Sequence, residues 1–181
     1  MTPSTPVSPE TASSAAPSAS SSAPSAAASS AAPSTASSAS PSTVPFRYDT
    51  KIAVIVREDL AVWQKLNVTA FLASGIAHAR DDIMSKRYED ASGNDYLPLL
   101  REPVLCFTAD APALTRSHAR ALSRAVPTAL YTAEMFATGN DEDNRATVRA
   151  IPADALDLVG LAVHGPRNTI DKIVRGLKLH G

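Results

Sequence analysis

Five residues of this chain have side chains and placements suited to meeting a ligand: Lys65, Asn67, Glu134, Thr138 and Asn140. Lys65 and Asn67 stand where an apolar strand pattern gives way to a helical one. An ammonium group at such a junction adds its charge to the positive end of the helix dipole and to unbonded N–H groups, which together attract an anion. Lys65 fits that role if the regular helix begins near Asn67, which is itself a good helix cap. Glu134, Thr138 and Asn140 follow another strand pattern, and in open α/β sheets ligands gather outside the carboxyl ends of strands. If the two strands are neighbours, Lys65 and Glu134 face one crevice. Lys65 would then stabilise developing negative charge, with Glu134 or a bound water as general base. Each residue also has an ordinary use. Lys65 can lie along apolar surface, Glu134 can be solvated, and Thr138-Gly139-Asn140 can be a turn and cap.

Other chemistry finds less footing. His78, His118, His164 and His180 do not stand at metal-ligand spacing with one another or with Cys106, so no metal site and no cofactor is expected. His164 follows a strand pattern, where a structural hydrogen bond to backbone is the ordinary role. Cys106 lies inside an apolar run and reads as core. As the only cysteine it cannot form an intrachain disulfide, which suits a reducing, cytoplasmic setting. The G-x-S-x-G, phosphate-loop and G-x-G-x-x-G patterns are missing.

The elements that must position these residues follow from periodicity. Lys51 to Val56, KIAVIV, is the apolar, β-branched pattern of a central strand covered on both faces. Asp59 offers an oxygen for a helix start, and a helix with a wide apolar arc runs on to Ala79. Tyr88 to Pro98 centres on Ser92-Gly93-Asn94-Asp95 and is expected to form a hairpin-like loop. Val104 to Thr108 is a second strand, with Pro103 tolerated before it. Ala111 to Ala125 is a helix with Pro112 in its first turn and Arg116, Arg120 and Arg124 in a row on one face, read as a solvated face. Thr128 to Tyr131 is a third strand, and Asp141 to Ala150 a short helix capped by Asn140 or Asp141. Leu158 to Val163 is a fourth strand, broken by His164-Gly165-Pro166. A last helix is capped by Asn168 or Thr169 and carries Ile170, Ile173, Val174 and Leu177 on its apolar stripe. The alternation predicts an α/β fold: a small four-stranded, mixed, mostly parallel sheet with helices on both faces.

Composition divides the chain of 181 residues in two. Residues 1–45 are almost entirely Ser, Ala, Pro and Thr, with Glu10 the only ionisable side chain, and lack the large apolar residues that offset the entropy of ordering. They are expected to be a disordered tail rather than a secretory signal or a presequence. Residues 46–181 are expected to be one α/β domain. No apolar run reaches the roughly 20 residues that span a bilayer, so no membrane partner is expected. A net charge of −1 gives no broad footprint for nucleic acid. Aromatic residues are few and scattered along the chain, so no stacking platform is expected.

Three stretches carry a resemblance: VREDLAVWQKLNVTAFLASGI, YLPLLREPVLCFTAD, and YTAEMFATGNDEDNRATVRAIPADALDLVGLAVHGPRNTIDKIVRGLKLHG. They resemble a family known only as domain of unknown function two thousand, over Lys51 to Gly181. That family in turn is similar to the type II peptidyl-tRNA hydrolases, through Val56-Arg57-Glu58-Asp59-Leu60, Lys65-Leu66-Asn67-Val68-Thr69 and the closing Asp171 to Leu179 segment. The resemblance implies that fold, and places Lys65 at the position of the hydrolases' helix-start lysine. The hydrolases' DAGRT loop reads Tyr131-Thr132-Ala133-Glu134-Met135-Phe136-Ala137-Thr138 here, so the aspartate is gone, with Glu134 as its nearest counterpart and Thr138 as that of the threonine. The first expectation is therefore a protein that binds a small polar or anionic ligand, without established catalysis. The second is a hydrolase of an ester or amide link, with a tRNA-linked substrate implied by resemblance only; Lys65, Glu134 and Thr138 are the catalytic candidates. A third is an interaction module, and the sequence leaves room for a homodimer.

Overall fold

The computed structural model describes residues 47–181, so the disordered tail expected over residues 1–45 lies outside the described residues. Strand β1, Thr50–Arg57, is central, and five of its residues are fully or almost fully buried. Helix α1, Val62–His78, follows it, then a two-stranded hairpin of β2, Tyr88–Glu89, and β3, Asp95–Tyr96. Next come β4, Val104–Ala109, helix α2, Ala111–Leu122, and β5, Thr128–Thr132. A 3-10 turn, Ala133–Ala137, leads to α3, Asp141–Arg149; β6, Leu158–Pro166, α4, Arg167–Ile173, and β7, Lys178–Leu179, complete the chain.

The main sheet has the order β5-β6-β1-β4-β7. Side chains of β1 alternate between its two faces, as a pleated strand requires. Ile52, Val54 and Val56 pack with Val68, Leu72 and Ile76 of α1, whereas Ala53 and Ile55 pack with Leu114 of α2 and with Ile170 and Ile173 of α4. The expected mixed α/β sheet with helices on both faces is thus present.

Two particulars differ from expectation. The sheet has five strands rather than four, because the two residues of β7 pair antiparallel with β4, placing Leu179 opposite Phe107. It is also mostly antiparallel: among the described residues only β1 and β4 run parallel, while β6 is antiparallel to both β1 and β5. Between β5 and β6 the connection needs no crossover helix: no residue of α3 is fully buried, although Val148 packs against the core, and the chain turns back beside β5 as its antiparallel neighbour β6. Strand β6 also runs past the expected break, because Thr50, Lys51 and Ile52 pair with Pro166, Gly165 and His164.

Local signals explain most helix ends. The Asp110 side chain accepts from the Ala113 N–H at 2.7 Å and starts α2, and Asn140 does the same for α3 through Asp143 at 2.9 Å. Helix α1 starts at Val62, between the start offered by Asp59 and the one near Asn67, where the Gln64 side chain accepts from the Ala61 N–H at 3.0 Å. Asp59 is instead occupied by Arg57, whose Nε donates to it at 2.8 Å. Helix α4 begins after Pro166 with no side-chain cap, rather than on Asn168 or Thr169.

Candidate functional site

Lys65 lies at the end of the first turn of α1, its own N–H already bonded to the Ala61 carbonyl at 3.0 Å. It is half-buried, and among the described residues its ammonium has no ion-pair partner. The side chain borders a cavity of about 330 Å³ lined by Val56, Val62, Lys65, Leu66, Thr69, Cys106 and His180. Each wall has a structural cause. Val56 comes from the end of β1, and Cys106 from β4, whose parallel register pairs it with Val54. Val62, Leu66 and Thr69 share the Lys65 flank of α1 by helical spacing. His180 is drawn in as β7 pairs with β4, and its N–H donates to the Cys106 carbonyl at 2.9 Å.

The cavity is mostly apolar. Thr69 directs its hydroxyl to the Lys65 carbonyl at 2.8 Å, so its polarity is largely spent inside the helix. Burial pushes the Cys106 thiol up from its ordinary value, which keeps it protonated and a poor nucleophile at neutral pH. The free charge at this site belongs to Lys65.

The other four sequence candidates sit elsewhere. Asn67 lies two residues beyond Lys65, which at 100° per residue turns it well away from the Lys65 flank. It lies inside the helix and does not cap it. Glu134 follows β5, which is separated from β1 by β6, and it is not among the residues lining the Lys65 cavity. One of its oxygens, Oε2, is buried without a hydrogen-bond partner among the described residues. Thr138 closes the 3-10 turn by donating to the Met135 carbonyl at 2.8 Å and also bonds the Asn144 side chain. Asn140 caps α3. The structure therefore joins Lys65 to Cys106 and His180 and does not join it to Asn67, Thr138 or Asn140.

Several features were not visible in the sequence. Trp63 meets Phe136 edge-on with ring centroids 5.9 Å apart, Phe136 meets Tyr131 at 5.1 Å, and Tyr131 meets Phe71 at 5.7 Å. Aromatics scattered along the chain thus form one row between α1 and the turn after β5. Trp63 and Phe71 stand eight residues apart, a spacing that returns to the same side of a helix, and that spacing was the available signal. Arg120, expected in a solvated row, reaches the Ile173 and Arg175 carbonyls at 3.3 and 3.1 Å and so closes the end of α4. His164, expected to bond backbone, faces a carboxylate: its Nε2 is 3.6 Å from Oε1 of the buried Glu102. Among the described residues no three of His, Cys, Asp and Glu gather where they could hold a metal ion, and no helix is long and apolar enough to cross a membrane.

A mixed five-stranded sheet, covered by helices on both faces and bordered at one end by a lysine-bearing cavity, defines a small α/β domain with room for a small ligand. The chain belongs to the family described as protein of unknown function DUF2000, whose model matches residues 50–181. A solved protein of unknown function from Agrobacterium tumefaciens strain C58 is 48% identical to it, with a TM-score of 0.73, covering 75% of this chain and 100% of that one. No curated protein matches the chain.

Proposed function

We propose that this protein binds a small amphipathic anion in the cavity between α1 and β4, with Lys65 holding the charge. The observation that carries this reading is the half-buried Lys65, whose ammonium has no ion-pair partner among the described residues, beside walls made mainly by Val56, Val62, Leu66 and Cys106. A charge in such surroundings gains from an anion far more than it would in water, because the local dielectric is lower. The apolar walls favour a ligand whose remainder is aliphatic or aromatic, and about 330 Å³ matches a molecule of modest size. A monocarboxylate with a short hydrocarbon chain has both features.

Binding is favoured over hydrolysis by what surrounds Lys65. A hydrolytic site built from the residues that the peptidyl-tRNA hydrolase resemblance offers would place Glu134 beside the ammonium as general base. Glu134 is not part of this cavity, and the Cys106 thiol is held in its unreactive form.

Thermal unfolding in the presence of butyrate, hexanoate and octanoate, each compared with the alcohol of equal chain length, tests the reading. The acids should raise the unfolding temperature, more so with chain length, and the alcohols should do so much less. Equal stabilisation of the wild type and of Lys65→Met by octanoate would remove the proposed site.

A further inference from the structure

At the opposite end of the sheet, where β1 begins, lies a second group of buried polar side chains. Glu102 is 5% exposed and His164 likewise 5%. Thr50 donates its hydroxyl to Glu102 Oε1, the oxygen that His164 Nε2 approaches to 3.6 Å. The other carboxylate oxygen, Glu102 Oε2, is buried and has no hydrogen-bond partner among the described residues. Arg167 Nε is in the same condition, although its Nη1 reaches the Tyr48 carbonyl at 3.4 Å. Glu102 and Arg167 both line one cavity of about 220 Å³, with Thr50, Lys51, Leu105 and Arg47 among its other walls.

We propose that this cavity is a binding site for a small carboxylate bearing a hydrogen-bond donor on the adjacent carbon, an α-hydroxy or α-amino acid. Buried polar atoms are satisfied in folded proteins, and these two make opposite demands. Glu102 Oε2 requires a donor, and Arg167 Nε–H requires an acceptor. A guanidinium prefers a carboxylate, and a carboxylate prefers an ammonium or hydroxyl, so one ligand with both groups serves both residues. Charge points the same way: Arg47, Lys51 and Arg167 outnumber Glu102 in the lining, and among the described residues only Lys51 has an ion-pair partner, Asp171. The volume falls below the roughly 300–1,000 Å³ typical of sites for drug-sized molecules, which restricts the ligand to a few heavy atoms. The order of groups favours binding rather than catalysis. A nucleophilic hydroxyl needs an imidazole beside it, whereas here the carboxylate stands between Thr50 and His164.

Propionate, L-lactate and L-alanine share one carbon skeleton and differ only in the adjacent donor. Titration of the full chain with each, followed by backbone amide NMR, tests the proposal. L-lactate or L-alanine should shift the amides of Thr50, Glu102 and Arg167 and bind at least tenfold more tightly than propionate. Glu102→Gln and Arg167→Gln should each weaken that binding at least tenfold, while Lys65→Met leaves it unchanged. Should Glu102→Gln fail to fold, the half-buried Arg167→Gln decides the matter alone. No shifts with any of the three acids, equal affinity for propionate, or undiminished binding in Arg167→Gln would each overturn the proposal.

Discussion

Val68 and Gly160 meet where α1 crosses β6: a Cβ at position 160 would stand 2.3 Å from Val68 Cγ1 and 2.9 Å from Leu72 Cδ1. Glycine is what lets the helix ride so close to the sheet. That closeness sets the height of Lys65, one turn before Val68, over Val56.

Gly160→Ala should therefore destabilise the fold by about 3 kcal/mol, the upper end of the range for overpacking a tight core. Urea unfolding monitored by circular dichroism measures this. Val68→Ala in the same chain should recover part of the loss, because it removes the methyl group that the new Cβ meets. An unchanged midpoint for Gly160→Ala would contradict the packing described.

Cys106 supplies a built-in reporter of the Lys65 cavity. Burial raises its thiol pKa, so reaction with a disulfide reagent should rise only above the pH at which a free thiol already reacts fully. Octanoate should slow the reaction severalfold in the wild type, since Cys106 and Lys65 line the same cavity. Lack of protection at a concentration that raises the unfolding temperature would place the acid elsewhere.

The β2–β3 hairpin is organised by one carboxylate. Asp90 accepts from the Ser92 and Asn94 N–H groups at 2.8 and 3.0 Å, from Asn94 Nδ2 at 2.8 Å and from the Tyr96 hydroxyl at 2.7 Å. These donors, led by the Asn94 side chain, hold its pKa well below the usual carboxylate range. A depressed folded value means the stabilisation is complete above the unfolded value near 4 and is lost as pH falls below it. An NMR titration should find Asp90 still ionised when the protein's ordinary carboxylates have protonated. Asp90→Asn should speed amide exchange at Ser92 and Asn94; an ordinary midpoint and unaltered exchange would contradict the network.

Much of the fold was legible because burial leaves a periodic trace. KIAVIV, VLCFT and LVGLAV were recognisable strands, and Asn140 was one of the two caps offered for α3, whereas the Asp110 cap of α2 was missed. Strand direction was not legible, since a run buried on both faces looks the same whether its neighbours are parallel or antiparallel. Strand β7 was missed because two exposed residues, Lys178 and Leu179, carry no periodicity. The site was half legible. Lys65 could be found from its junction, but its companions Cys106 and His180 come from β4 and the chain's last residues, and only strand pairing brings them there. The pairing of Glu102 with His164 was invisible for the same reason, since Glu102 precedes β4 and His164 lies on β6, and the registers of both strands on β1 bring them together.

The measurement that bears most directly on the Lys65 cavity is calorimetric titration of octanoate into the wild type and into Lys65→Met. The wild type should bind one equivalent, and the methionine variant, which keeps the apolar stem and loses the charge, should bind at least tenfold more weakly. Equal affinity in the two proteins, or no heat of binding in the wild type, would contradict the account.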